Sequence, residues 1–260
     1  MTAHLVGFAA VLALGYASLA GAETKNIDRT LPLSAAGTVG LEAHNGWIQI
    51  RTWDRPEVEV HVQIQWPGVS ASSYRFRETT VDVDGTPERV SIRWNSPDRY
   101  GWSLWSLFEG PWMGPEVRYT ITAPKTARLE IRNHNANTDI RDVNASVRVG
   151  THNGVVRVAN LSGPLDLSMH NGWARVDFAA FSQASRISSH NGVVELALPA
   201  GSQFNLDSRG HHMHVESDFQ LTTRASYGRW SQRGVTGSVN GGGPDLQVVA
   251  HNGSVRLHSK

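Results

Sequence analysis

The trio His-Asn-Gly occurs with its histidine at positions 44, 152, 170, 190 and 251, and a near copy, His134-Asn135-Ala136, falls between the first two. His134, His152, His170 and His190 lie 18, 18 and 20 residues apart. A period near twenty residues is too short for an independent domain. It marks an array of one small unit that buries its apolar side only by stacking on its neighbours. The register extends beyond the trio. Three residues before the histidine stand Leu41, Ile131, Val149, Leu167, Ile187 and Val248. Four and six after it stand Ile48/Ile50, Thr138/Ile140, Val156/Val158, Ala174/Val176, Val194/Leu196 and Val255/Leu257. These columns are read as facing a common core, which leaves the histidine column pointing outward. The same register assigns Phe204, Leu206, Met213 and Val215 to apolar columns and puts Arg209 in the histidine column and Gly210 in that of asparagine. On this reading there are seven units, and six carry histidine.

Asn-Gly is the favoured pair where both residues need positive φ, so each trio is expected to reverse the chain sharply between two short strands. Two architectures satisfy this. In a β-solenoid the two strands belong to different faces of one coil, and equivalent residues of successive units stack at about 4.8 Å. In an antiparallel meander each unit is a hairpin, and equivalents lie at about twice that spacing. The solenoid is favoured because one column holds Glu130, Arg148, Asp166 and Arg186, an alternation of sign that helps only between adjacent units. The expected fold is therefore all-β: a right-handed β-solenoid or β-roll with rungs of about 18–20 residues. Residues 126–260 form the array. Residues 23–125 form a β region that holds the first rung, alternating strands in "EVEVHVQIQW", "VDVDG", "RVSIRWN" and "EVRYTITAP", and an aromatic loop at 99–115. The strands are read as an antiparallel layer or as excursions from the coil.

The chain resembles the bacterial putative-adhesin proteins built of short β-strand repeats. The resemblance rests on the leader, on "GLEAHNGWIQIRTWDRPEVEV", on "YTITAPKTARLEIRN" and on the closing "GGGPDLQVVAHNGSVRL", and spans most of residues 30–258. It implies an exported β-helical or roll-like domain and brings no catalytic residues with it. The regular histidine before Asn-Gly departs from the usual pattern.

Residues 5–22, "LVGFAAVLALGYASLAGA", close on Ala20-Gly21-Ala22, a small-x-small cleavage pattern, so residues 1–22 read as a secretory signal and the mature chain as starting at Glu23. No second apolar stretch of spanning length follows. An exported chain with no cysteine must take its stability from burial and backbone pairing. The net charge of +1 gives no sign of a nucleic-acid partner. Periplasmic or extracellular location follows from the leader.

The candidate chemistry is in the histidines. A column of outward imidazoles is a metal-binding ladder or a stack of rings that cover the turn, and His134, His152, His170 and His190 are the candidate ligands. Two rungs could lean onto one ion, but no carboxylate or cysteine offers to complete a tetrahedral site. In "GHHMH", His212 and His214 share one strand face and form a second candidate pair. The asparagine column is structural, because stacked amides bond up and down a coil. Trp47 and Trp173 beside the histidines, and Trp102, Trp105 and Trp112 in the aromatic loop, are candidate binding residues. For the loop, capping an end of the array competes with binding a partner or a glycan and with touching a membrane interface, the last disfavoured by the lack of a flanking Lys/Arg cluster. Neither a Gly-x-Ser-x-Gly elbow, a His-Glu-x-x-His motif nor a phosphate loop occurs, so an enzyme is not expected and no cofactor is implied. Two function classes remain: a non-catalytic envelope or surface protein that binds another macromolecule, protein or glycan, and a histidine-based metal-binding or pH-responsive module.

Overall fold

The computed structural model describes residues 23–66, 78–95, 115–226 and 234–260. The leader at 1–22 and the tryptophans Trp102, Trp105 and Trp112 lie outside the described residues. Among the described residues the chain forms fourteen strands: β1 (Glu23–Pro32), β2 (Thr38–Trp53), β3 (Glu57–Trp66), β4 (Thr80–Thr86), β5 (Arg89–Asn95), β6 (Glu116–Pro124), β7 (Arg128–Arg141), β8 (Val147–Leu161), β9 (Leu165–Phe178), β10 (Ser185–Leu198), β11 (Phe204–Ser217), β12 (Thr222–Ser226), β13 (Val235–Val239) and β14 (Asp245–Ser259). No helix among these residues is long and apolar enough to cross a membrane.

The fold is all-β, and one mixed, open sheet runs in the order β1-β3-β6-β2-β7-β8-β9-β10-β14-β11-β13-β12. Its central seven strands, β2-β7-β8-β9-β10-β14-β11, are parallel and in register, so equivalent residues of successive units are direct neighbours. Hairpins within each unit are excluded by this pairing, and the meander with them. Antiparallel strands flank the parallel block. β1, β3 and β6 form one group and the β4–β5 hairpin another, while β13 and β12 follow β11.

β2 shows how a unit is shaped. On one side it pairs with β7 along both its halves. On the other, Thr38–Glu42 pair with β5 and Gly46–Trp53 with β6, so the two halves on either side of His44-Asn45-Gly46 belong to different strand groups. Burial follows the same division. Residues five and three before the histidine are buried (Val147, Val149, Leu165, Leu167), as are those four and six after it (Val156, Val158, Ala174, Val176). Odd offsets before and even offsets after cannot both face inward on a strand of unbroken period two. The alternation therefore changes phase at the trio, and both halves contribute to one core.

Glycine makes the phase change. Gly46, Gly154, Gly172, Gly192 and Gly253 have φ between +112° and +156°, whereas no asparagine of the column has positive φ. The expectation of a two-residue reversal with both residues left-handed is corrected here. The parallel ladder continues through the trio, which keeps asparagine extended and leaves the whole change of direction to glycine. Ala136, in the glycine column, lacks the positive φ, and its bend is fastened from within. Asn133 is buried and accepts hydrogen bonds from the Ala136 amide (3.2 Å) and the Thr151 hydroxyl (2.7 Å), and its own Nδ2 donates to Thr138 Oγ1 (3.1 Å).

Two further corrections concern the last units. β14 inserts between β10 and β11, so chain order is not spatial order. Gly210 pairs with Ala250 and His212 with Asn252, which puts His211, not Arg209, opposite His251. The apolar residues of β11 do not distinguish two registers that differ by two positions, because both keep the same side chains inward. The pairing with β14 settles it by placing Ser208, fully buried, in the core column of Val248. All seven units therefore carry histidine.

Candidate functional site

Because the strands are parallel and in register, every outward column becomes a straight row across the sheet. The histidine row is continuous. Ring centroids are separated by 5.1 Å from His44 to His134, 4.8 Å to His152, 4.6 Å to His170, 4.7 Å to His190 and 4.8 Å to His251, with interplanar angles between 2° and 8°. His211 closes the row at 5.2 Å, tilted by 54°. At the opposite end Trp94 of β5 stacks on His44 at 6.4 Å. All seven imidazoles are exposed, as the sequence expects of that column. His211 and Trp94 were not legible as members of the row. His211 was displaced by the register of its unit, and Trp94 arrives from a strand outside the repeat.

The next row is a chain of amides. Asn135 donates to Asn45 (3.2 Å), Asn153 to Asn135 (2.7 Å), Asn171 to Asn153 (2.9 Å), Asn191 to Asn171 (2.9 Å) and Asn252 to Asn191 (2.9 Å). Each inner amide both donates and accepts, which fixes its flip and holds neighbouring units at one spacing. His212 stands next in this row.

Stacked imidazoles have their ring-nitrogen lone pairs in parallel planes, so the row as it stands does not converge on one ion. Metal–nitrogen bonds of about 2.0–2.1 Å would require neighbouring rings to rotate out of the stack. Among the described residues no group of three or more histidine, aspartate or glutamate side chains is placed to hold a metal. His212 and His214 are exposed on either side of the buried Met213, and His214 Nε2 lies 3.1 Å from Glu216.

Electrostatics in the row is set by burial and by like neighbours. His44 is held below the ordinary histidine value by partial desolvation and then by the charge of His134. His170 is lowered by desolvation and then by the charges of His152 and His190. Both effects disfavour the imidazolium.

Flanking rows supply charge. In the column of Glu130, Arg148, Asp166 and Arg186 the adjacent pair Arg148–Asp166 closes at 2.9 Å, while Glu130 pairs with Arg89 (2.9 Å) and Arg186 bonds Gln247 (3.3 Å). In the column beyond the trio, Asp139 pairs with Arg51 (3.1 Å), Glu195 with Arg175 (3.6 Å) and with Arg256 (3.5 Å), and Arg256 with Glu216 (3.0 Å). Arg157 instead lies over the Trp173 ring at 5.1 Å. Trp47 is 47% exposed, on the far side of the trio from the groove described next.

Between the histidine row and the charged row runs a line of small side chains, Gly150, Ser168 and Ser188, continued by Val249 and Arg209. The absence of bulk there leaves a groove of about 770 Å³ beside His170, His190, His251 and His211. Its wall and floor include Thr151, Ser168, Ser188, Ser189 and Ser208, and among the described residues no carboxylate lines it. Ser189 is 4% exposed, and its Oγ has no hydrogen-bond partner. A smaller hollow of about 330 Å³ continues along the same face past Gly150 toward Arg89 and Arg132.

No family model matches the chain, and no curated protein sequence matches it. Solved structures of similar chain path include a putative cell adhesion protein from Clostridium sporogenes, 10% identical, with a TM-score of 0.45 over 91% of this chain and 100% of that one. A putative adhesin from Bacteroides fragilis is 12% identical with a TM-score of 0.29, over 91% of this chain and 97% of that one. A putative lipid binding protein from Parabacteroides distasonis is 10% identical with a TM-score of 0.27, over 89% and 96%.

Proposed function

We propose that this chain is an exported, non-catalytic binding scaffold of the cell envelope or surface, adhesin-like in role, in which a right-handed β-solenoid presents the histidine face to another macromolecule. Chain length supports the coil. β8 has 15 residues, and three residues, 162–164, lie between its end at Leu161 and the start of β9 at Leu165. A straight strand of that length spans roughly 50 Å, whereas the link reaches roughly 14 Å, so a parallel neighbour in register requires the strand to double back. The phase change at each glycine is where it does so. The right hand is the one that strand-to-parallel-strand crossovers take. Export rests on the leader that ends at Ala20-Gly21-Ala22.

The observation that carries the functional reading is the unbroken row of seven exposed imidazoles beside the groove. A long, rigid, regularly spaced face suits an extended ligand. The test is co-sedimentation of the mature chain with washed envelope fragments. We compare the parent, His152→Ser/His190→Ser on the ladder face, and Arg175→Ser on the face beyond the trio. The reading expects the parent and Arg175→Ser to sediment and the double variant to stay in solution. Equal sedimentation of all three, or none by the parent, overturns it.

A further inference from the structure

We propose that the groove beside His170, His190, His251 and His211 binds a segment of acidic polysaccharide, its carboxylates on the imidazole row and its hydroxyls on the row of Ser168 and Ser188. This rests on the binding-scaffold reading above and names the ligand class of that face.

The groove's chemistry selects the ligand. Four imidazoles and one guanidinium line it together with the outward hydroxyls of Ser168 and Ser188, and among the described residues no carboxylate does. The acids on the groove's side of its strands already have partners. Asp166 of β9 holds Arg148 at 2.9 Å, and Asp207 of β11 holds Arg209 at 2.8 Å. Asp245, at the start of β14, accepts from Asn205 (3.2 Å). His152 of β8 and Arg186 of β10 also stand on the groove's side of the trio, while the halves of these strands beyond it carry Arg157, Arg175, Asp177, Glu195, His212, His214, Glu216, Arg256 and His258. β13, of sequence Val235-Thr236-Gly237-Ser238-Val239, adds none. Among the described residues no carboxylate lies within 4.0 Å of an imidazole of the row. Protonation of the row therefore gives the groove a positive charge that no carboxylate among the described residues contacts.

Shape favours a glycan over an acidic peptide. The groove crosses the strands at right angles to their length, over sheet interior whose main-chain groups are already paired, so it offers a peptide no edge to extend. Hydroxyls that both donate and accept suit sugar hydroxyls. A linear chain whose carboxylates recur regularly meets a row of imidazoles that recurs every 4.7–5.2 Å.

Isothermal titration of the mature chain with a galacturonic acid hexamer tests this, at about pH 5.5 and about pH 8, where imidazole is charged and neutral. The controls are a neutral glucose hexamer and a short inorganic polyphosphate. We expect binding of the uronate at the lower pH that weakens at least about tenfold at the higher. A loss of similar size is expected in His190→Ala/His251→Ala, and in Ser188→Trp, which fills the groove and keeps every imidazole. No uronate binding at the lower pH, full binding by Ser188→Trp, or equal affinity for the glucose hexamer or the polyphosphate each overturns the proposal. If these occur while His152→Ser/His190→Ser still abolishes envelope sedimentation, only the ligand class falls.

Discussion

Replacing Gly172 by alanine tests the geometry of the bend with a single methyl group. Gly172 has φ +137°, and a Cβ built there would lie 2.0 Å from the carbonyl oxygen of Gly154 in the next unit. Two costs add. The backbone conformation is strained for an L-residue, by about 1–2 kcal/mol. The methyl also meets a main-chain oxygen that no rotamer can move, an overpacking of about 1–3 kcal/mol. The structure contains controls that separate these costs. Gly241 has φ +91° with nothing within 4 Å of its Cβ position, so Gly241→Ala measures strain alone. Gly201 has open space and no positive φ, so Gly201→Ala is expected neutral or stabilising by about 0.5 kcal/mol through the unfolded chain. Gly172→Ala should then cost about 2–5 kcal/mol, a fall in melting temperature of roughly 5–15 °C for a chain of this size. Gly192→Ala, with 2.1 Å to the Gly172 oxygen, should behave alike, and Gly172→Val should be worse. Thermal unfolding of the series is the assay. A Gly172→Ala loss no larger than that of Gly241→Ala would refute the close approach of neighbouring units.

Asn153→Ala removes two amide bonds, to Asn135 and from Asn171, and should cost about 1–3 kcal/mol in denaturant unfolding. Asn45→Ala, with one such bond, should cost less, and equal losses would contradict a working amide row. Since His44 and His170 sit below the ordinary value of 6.5, the unfolded chain takes up their protons first. Stability should therefore be complete above that pH, fall as pH drops below it, and level off once the folded rings also protonate. Melting temperature followed from about pH 8 to about pH 5 checks this, and His152→Gln/His170→Gln should flatten the slope; an unchanged slope counts against coupled imidazoles. Deleting residues 147–164, one whole unit, should leave a folded chain in which Leu165 takes the place of Val147 against Leu129. Loss of the cooperative transition would count against a coil of interchangeable units.

The period of the trio, its six histidines and the amide row were legible because a repeated residue at fixed spacing needs no tertiary knowledge to align. The outward exposure of the imidazoles followed from the apolar columns around them. What escaped the sequence has physical causes. Arg209 was read into the histidine column because Leu206, Met213 and Val215 suit two registers two residues apart, and only the pairing of β11 with β14 selects His211. The insertion of β14 beside β10 is a choice among edges made by packing, which chain order does not record. The phase change was hidden because glycine alone makes it, with asparagine extended, where the Asn-Gly pair suggested a two-residue turn. The groove came from the absence of bulk at Gly150, Ser168 and Ser188, a feature visible only once those residues form a row.

The most direct test of the ladder face as the binding surface is the imidazole Cε1–H spectrum of the mature chain at about pH 5.5, titrated with the galacturonic acid hexamer. The account predicts saturable shifts at His170, His190, His251 and His211, with His61 beside Asp28 and His258 beside Asp218 unmoved. Shifts confined to His61 or His258, or spread evenly over every histidine, would contradict it.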